Sequence, residues 1–340
     1  MNKAGPRNYT QYLFIISLAL FHLTACTKHQ NLPDAIETYH ERIYGVLELP
    51  HTDLDINLDL QAPPKSTWNI DIPSLQINMR EFYALDGCEI KSIVAERNTA
   101  LGKIQLPSTR LQYEWRLITA LRFCEEQLSK QSNEELQNKT TMWLEQKQDL
   151  YALNWANMFS QSQEIYNSLV HSGGFIDGNS DDNFTQAKLD LQQILESLRS
   201  PESALVNLES ALQSMQQHKL YARSLRSQLL LTQSLQSMTE DITNWSSTFQ
   251  CNTRRDREDL KILRNVFNLY FVQEIQAIAS QMNHYHYQLK PIFIDLLTVP
   301  QVHPEFSMWL QNHQTNTFEN YQAAMREHIV MWQNIFVKCD

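Results

Sequence analysis

"PESALVNLESALQSMQQHKLYARSLRSQLLLTQSLQSMTEDITNWSSTF", residues 201–249, contains no glycine and no proline after Pro201. Its apolar residues recur every three or four positions: Leu205, Leu208, Leu212 and Met215, then Ala222, Leu225 and Leu229. After a break in phase they resume as Leu231, Leu235, Met238, Ile242, Trp245 and Phe249. This spacing predicts a bundle or coiled-coil seam with a stutter, on a helix of nearly fifty residues that would reach about 70 Å. The seam can bury against the same chain or against a partner. Burial within the chain is preferred, because long amphipathic patterns at 256–297 and 304–338 follow. Pro291 is expected to kink or interrupt the first of them.

Upstream, Ile36, Tyr39, Ile43 and Val46 predict a helix over 33–45, and further helices are expected at 74–84, 87–100, 108–130 and 133–170. Pro107-Ser108, just ahead of Leu111, Trp115, Ile118 and Leu121, is a start signal for the fourth of these five. Between 49 and 73 four prolines make the chain irregular, with a short strand expected around Trp68–Ile72. Only seven glycines occur in 340 residues, which suits long helices and few turns. The expected fold is all-α, an elongated bundle of long antiparallel helices with a short irregular N-terminal segment.

"HSGGFIDGNSDDNFTQ", residues 171–186, reads as a flexible loop, 171–183, between two possible subregions, 33–170 and 184–340, of one helical domain covering 33–340. Asp177, Asn179 and Asp181 match the first half of a calcium loop. The pattern then fails, with Asp182 where the turn glycine belongs and Lys188 where the bidentate glutamate belongs. The structural reading is a solvated connection in which Asn183 and Gln186 cap the next helix.

The N-terminus carries Lys3 and Arg7 without acidic residues, then an apolar run from Tyr12 to Leu23. Twelve helical residues cover about 18 Å, against a bilayer core of roughly 30 Å, so the run reads as a signal peptide, residues 1–25. It closes on Leu23-Thr24-Ala25-Cys26, which resembles the lipobox of bacterial lipoproteins. The resemblance implies acylation of Cys26 and a lipidated tether over 26–32. Thr27, in place of an aspartate, implies onward sorting to the periplasmic face of the outer membrane. An ordinary cleavable signal and a signal anchor are the alternatives.

Removing Lys3 and Arg7 with the leader leaves 26 basic against 38 acidic residues, a net charge of −12. Nucleic acid and anionic lipid surfaces both reward a basic face, so neither is an expected docking partner. Cys88, Cys124, Cys251 and Cys339 form an even set that suits an oxidising compartment. Helical hairpin geometry favours Cys88–Cys124 and Cys251–Cys339. Buried free thiols are the alternative, and a metal site is disfavoured because no CxxC or CxxxH spacing occurs.

The densest polar cluster is "AERNTALGKIQLPSTRLQYEWR", residues 95–116. Through Ala95-Glu96-Arg97-Asn98, Leu101-Gly102-Lys103, Pro107-Ser108, Arg110-Leu111, Tyr113 and Glu114 the chain resembles a family of gammaproteobacterial lipoproteins whose domain has no assigned function. The likeness covers most of its length. It implies a membrane-tethered envelope protein and carries no mechanism. Physically, Arg110 and Glu114 stand four apart on one helix face and can pair, with Glu96 and Arg97 near enough to join across the turn. Glu96, Arg97, Asn98, Lys103, Arg110 and Glu114 are therefore the candidate polar cluster, either a network fixing one hairpin or a binding site.

No HExxH, GxSxG, SxxK or phosphate-binding glycine loop occurs, and no metal or cofactor is expected. His284 and His286 stand two apart and point to different faces of a helix, while His303, His313 and His328 are scattered. The expected role is a noncatalytic, lipid-anchored periplasmic protein that binds another envelope component, such as a partner protein, or supports an assembly as a structural component. The alternative is an envelope hydrolase acting on cell-wall or lipid material with Glu96 or Glu114 as its acid. A third idea is a carrier of an apolar ligand between the helices.

Overall fold

The computed structural model describes residues 31–50, 56–130, 133–178 and 183–339, apart from the side chains of Leu101 and Lys103. The expected signal peptide, Cys26 and residues 26–30 of the tether lie outside the described residues, as do Asn179, Asp181 and Asp182. Among the described residues every regular element is a helix and none is a strand. No helix among them is long and apolar enough to cross a membrane.

Helix α1 (Leu32–Leu47) starts where the Asn31 side chain accepts the Asp34 N–H at 3.0 Å. Its buried face, Leu32, Ile36, Tyr39 and Ile43, repeats at the spacing of the sequence pattern. After it, the stretch expected to hold a short strand contains a 3-10 turn, Lys65–Trp68, and then extended chain. That chain pairs with a side chain. Ile70 N–H donates to Asn157 Oδ1 at 2.8 Å, and Asn157 Nδ2 donates to the Ile70 carbonyl at 2.7 Å. With its backbone already satisfied by an amide, Ile70 needs no neighbouring strand.

Short helices α2 (Met79–Ala84), α3 (Ile90–Arg97) and α4 (Ala100–Lys103) lead into a long hairpin of α5 (Pro107–Leu128) and α6 (Glu134–Gln161). Pairing of Glu114 with Lys147 and of Glu125 with Thr141 shows that α5 and α6 run antiparallel. Cys88 and Cys124 stand at disulfide distance, Cα to Cα 5.4 Å, beside the packing of α3 on α5. The expected single helix over 133–170 is broken at Ser162, whose backbone turns extended (ψ 131°), and resumes as α7 (Gln163–Val170).

Helix α8 (Phe184–Arg199) begins without the expected Asn183–Gln186 cap. Asn183 is left-handed (φ 61°) and its side chain caps nothing, while Gln186 Nε2 donates to Asp190 at 2.7 Å. The preceding connection is fastened to the body: Ile176 is fully buried and its N–H donates to Ser227 Oγ at 2.9 Å.

The predicted fifty-residue helix is broken into three helices and a 3-10 turn. A short turn, α9 (Pro201–Ala204), and one 3-10 turn precede α10 (Leu208–His218), and α11 (Leu220–Thr248) follows a left-handed Lys219 (φ 46°). His218 holds the break. Its Nδ1 accepts the Leu220 N–H at 3.2 Å while Nε2 meets Asp190 Oδ2 at 3.0 Å. The phase break after Leu229 falls inside α11, where the helix passes from a satellite cluster of Ala222, Leu225 and Leu60 to the main core through Leu231, Leu235, Met238 and Ile242.

Helix α12 (Arg254–Val266) opens with a capping box in which Thr253 and Asp256 exchange bonds. It continues through a π-helical stretch, Phe267–Ile275, into α13 (Gln276–Leu297). Contrary to expectation, Pro291 does not interrupt α13. The residue is solvent-exposed, so the carbonyl it leaves unpaired lies on the wet face. Finally α14 (Pro304–Asn312) runs through a second π stretch, His313–Thr317, into α15 (Phe318–Phe336). Cys339, just beyond it, stands at disulfide distance from Cys251, Cα to Cα 5.5 Å.

Arg264 meets Phe336 and Tyr321 meets Ala279, so α15 runs antiparallel to α12–α13. It is parallel to α11, since each of the two connections reverses the chain once. One hydrophobic core extends from Leu32 to Ile335 and is shared by residues 33–170 and 184–340. Fully buried Trp68, Trp155 and Trp332 are among its largest members, and each buried Leu or Phe contributes about 1.5–3 kcal/mol.

Candidate functional site

The α5–α6 hairpin brings Arg97, Asn98 and Arg110 of the 95–116 cluster to the lining of a groove, with Glu114 buried behind them, and leaves Glu96 outside. Glu114 is buried. Arg110 pairs with it from one turn earlier, and Lys147 Nζ of α6 donates to its Oε2 at 2.8 Å. Lys147 belongs to the buried stripe of α6 formed with Trp143, Tyr151 and Trp155, and it enters the core only because a carboxylate waits opposite. Glu96 does not join this group. It faces outward and takes both terminal nitrogens of Arg116, at 3.1 and 3.4 Å.

Arg97 ends α3 and donates to the Gly102 carbonyl, while the Asn98 N–H closes the helix on Val94 and Ala95. The side chain of Lys103 lies outside the described residues. Arg97 and Arg110, on either side of the turn, line the same two clefts. Burial and the nearby Arg110 charge lower the Arg97 pKa from the usual arginine range. The Arg110 guanidinium also lies over the Tyr113 ring at 5.2 Å, and its Nη1 is buried without a hydrogen-bond partner among the described residues. Burial and the neighbouring Glu114 push the Tyr113 hydroxyl up to about 12.

Two clefts share this arginine pair. The first, about 490 Å³, is lined by Leu75, Ile77, Val94, Asn98, Tyr113, Leu117 and Lys147, with Ser74 and Gln76 at its edge. The second, about 480 Å³, is lined by Lys65, Asn69, Gln105, Asn154, Asn157 and Gln161, with Ile70, Ile72 and Pro107 completing it. Both volumes fall in the range of small-molecule sites. Neither lining contains an aspartate or glutamate, in a chain of net charge −10. The extended segment 69–77 passes across both clefts, pinned by Asn157 at one end and by the Asn78–Glu81 capping box at the other.

Lys65, Lys147 and the α6 amides were absent from the candidate cluster. The signal for Lys147 was a charged residue within an apolar four-residue repeat, Trp143–Lys147–Tyr151–Trp155. For Lys65 and the segment 69–77, local sequence carries no such signal, because the 3-10 turn that places them depends on burying Trp68 against α6 and Phe306.

The histidines fall elsewhere. His328 is fully buried between Tyr39 and Thr239, each 2.8 Å from a ring nitrogen, and Trp332 Nε1 donates to the Tyr39 hydroxyl at 2.8 Å. Burial pushes His328 down to about 3. His286 stacks on Phe318 and is pushed down to about 4 by burial and by Lys290, and His284 packs beside Phe184. His303 caps α14, and His313 sits between the Trp309 and Leu60 carbonyls. Among the described residues no group of His, Cys, Asp and Glu side chains converges as a metal site.

No curated protein and no solved structure is similar enough to match this chain. One family model does match, over residues 36–340, and so spans α1 from Ile36, both clefts and the helices through α15. On that match the chain belongs to the family described as a protein of unknown function, DUF3080.

Proposed function

We propose that this is a noncatalytic binding protein of the gammaproteobacterial cell envelope, anchored by acylated Cys26 at the periplasmic face of the outer membrane, whose site is the cleft pair around Arg97 and Arg110. The ligand is an anion. One observation carries this reading: an acidic chain gathers Arg97, Arg110, Lys147 and Lys65 around two clefts with no lining carboxylate. Glu114 offsets the repulsion between the two guanidinium groups from behind, at Arg110, and an anion on the cleft side would offset it further. The Leu23–Cys26 lipobox supports the anchor, and cysteine pairs at disulfide distance suit an oxidising compartment.

The hydrolase alternative finds no support in the geometry. Glu96 and Glu114 are both held in ion pairs, and neither lines a cleft. A carrier of purely apolar cargo fares no better at the enclosed space between α11, α13 and the second π stretch. That space is about 20 Å³, room for about one water.

The test has two arms. Radiolabelled palmitate should enter the wild-type chain in cells and not Cys26→Ser; equal labelling of both would remove the anchor. Calorimetric titration of the full chain carrying Cys26→Ser with inorganic phosphate should show binding that weakens with salt and disappears in Arg97→Gln/Arg110→Gln. Undiminished binding in that double variant would remove the site.

A further inference from the structure

The two clefts follow one another along α6, from Lys147 to Gln161, and the arginine pair stands where they meet. An anion held there has cleft space in both directions. A carboxylate carries one substituent and enters both clefts only if that substituent branches. A phosphodiester carries two, and it keeps two unesterified oxygens for two arginines.

The clefts also differ in chemistry. The first presents Leu75, Ile77, Val94 and Leu117, with Leu75, Ile77 and Val94 half-buried against the main core. The second presents amide groups, and there Gln105 Oε1 is buried with no donor among the described residues. Arg110 Nη1, at the junction, is buried with no acceptor among them. A ligand that satisfies both atoms brings an acceptor to Arg110 and, on the second-cleft side, a hydroxyl or amide donor to Gln105.

Resting on the proposal that the cleft pair binds anions, we infer that the ligand is a phosphodiester lying between Arg97 and Arg110, with a hydroxyl-bearing group toward Gln105 and an apolar group toward Leu75 and Leu117. This is the chemistry of an acylated glycerophosphoryl alcohol. It is taken as a single molecule into a cleft, which the acidic surface does not oppose as it opposes docking on an anionic bilayer.

Three probes separate the parts in titrations of the full chain carrying Cys26→Ser: inorganic phosphate, glycerophosphoglycerol, and dihexanoylphosphatidylglycerol below its micellar concentration. Affinity should rise in that order. The short acyl chains should add at least about tenfold over glycerophosphoglycerol, the gain expected from burying two methylenes. Leu75→Gln should cost the lipid at least about tenfold more than it costs glycerophosphoglycerol. Gln105→Leu should weaken both diesters more than it weakens phosphate, and an equal loss for every probe in either variant would overturn the arm that variant tests. Equal affinity for all three probes, all abolished by Arg97→Gln/Arg110→Gln, would overturn the diester assignment while the anion site stands. No binding of any probe would overturn both. Glycerophosphoglycerol binding as tightly as the lipid would assign a free, unacylated diester and overturn the apolar arm.

Discussion

Glu114→Gln isolates the energetics of the buried ion pair behind the clefts. Glu114 and Lys147 side chains are 1 % and 5 % exposed, and the carboxylate is shared with Arg110, which is 27 % exposed. When the charge of Glu114 is removed, Arg110 can turn toward solvent and Lys147 cannot. Stranding one member of a buried pair costs about 3–5 kcal/mol, a large part of the roughly 5–15 kcal/mol that holds a domain together. Urea denaturation at pH 7, followed by far-ultraviolet circular dichroism, should show Glu114→Gln losing about that much. Lys147→Met alone should lose a comparable amount, by stranding the carboxylate against Arg110 only. The double variant should lose much less than the sum, because no buried charge then lacks a partner. Phosphate titration supplies an independent reading: Glu114→Gln removes the negative charge that offsets the clefts, so whatever remains folded should bind phosphate more tightly. A loss below about 1 kcal/mol, or strict additivity in the double variant, would refute the claim that this pair is a closed buried unit.

Stability should fall with acidification below about pH 6.5. His328 and His286 stay neutral in the folded chain until about pH 3 and 4, whereas unfolded histidine takes up its proton near 6.5, so the unfolded state binds more protons across that window. Each ring should contribute a slope of about 1.4 kcal/mol per pH unit, measurable as urea midpoints at pH 7, 6 and 5; a midpoint constant over that range would contradict the burial of both rings. Reduction should cost about 4 kcal/mol for Cys88–Cys124 and about 5 kcal/mol for Cys251–Cys339, from closed loops of 36 and 88 residues. Thermal melts of Cys124→Ser and Cys339→Ser with and without reductant separate the two, and unchanged melting in every case would show that neither bond forms.

Helix content was legible because burial and periodicity agree: Leu231, Leu235, Met238 and Ile242 are fully buried, as the seam predicts. The break at Lys219 was not legible. A left-handed lysine has no favourable intrinsic energy, and His218, reaching from its own helix end to Asp190 on α8, makes the turn worthwhile only after folding. Around Trp68–Ile72 the two-residue alternation is real, yet the backbone finds its partner in one asparagine side chain of α6. In the site, the Arg110–Glu114 spacing could be read directly from four-residue helix geometry. Glu96 was misplaced because proximity across a turn does not fix which way a side chain points; Arg116, two turns beyond the loop, takes it instead. The clefts depend on contacts between residues 65–77 and 147–161, far apart in sequence and without local signature.

Tyr39 reaches across 289 positions of chain to His328, and Trp332 donates to the same hydroxyl. The first helix therefore has no finished seat until the last one has emerged. Most of its packing is on α11, α12 and the first π stretch, so the buried face of Leu32, Ile36 and Ile43 waits for residues 220–275, and the Tyr39 hydroxyl waits longer still, for α15. The two ends of the sequence are thus fastened to one another through a single hydroxyl, and a change at Tyr39 is felt at both.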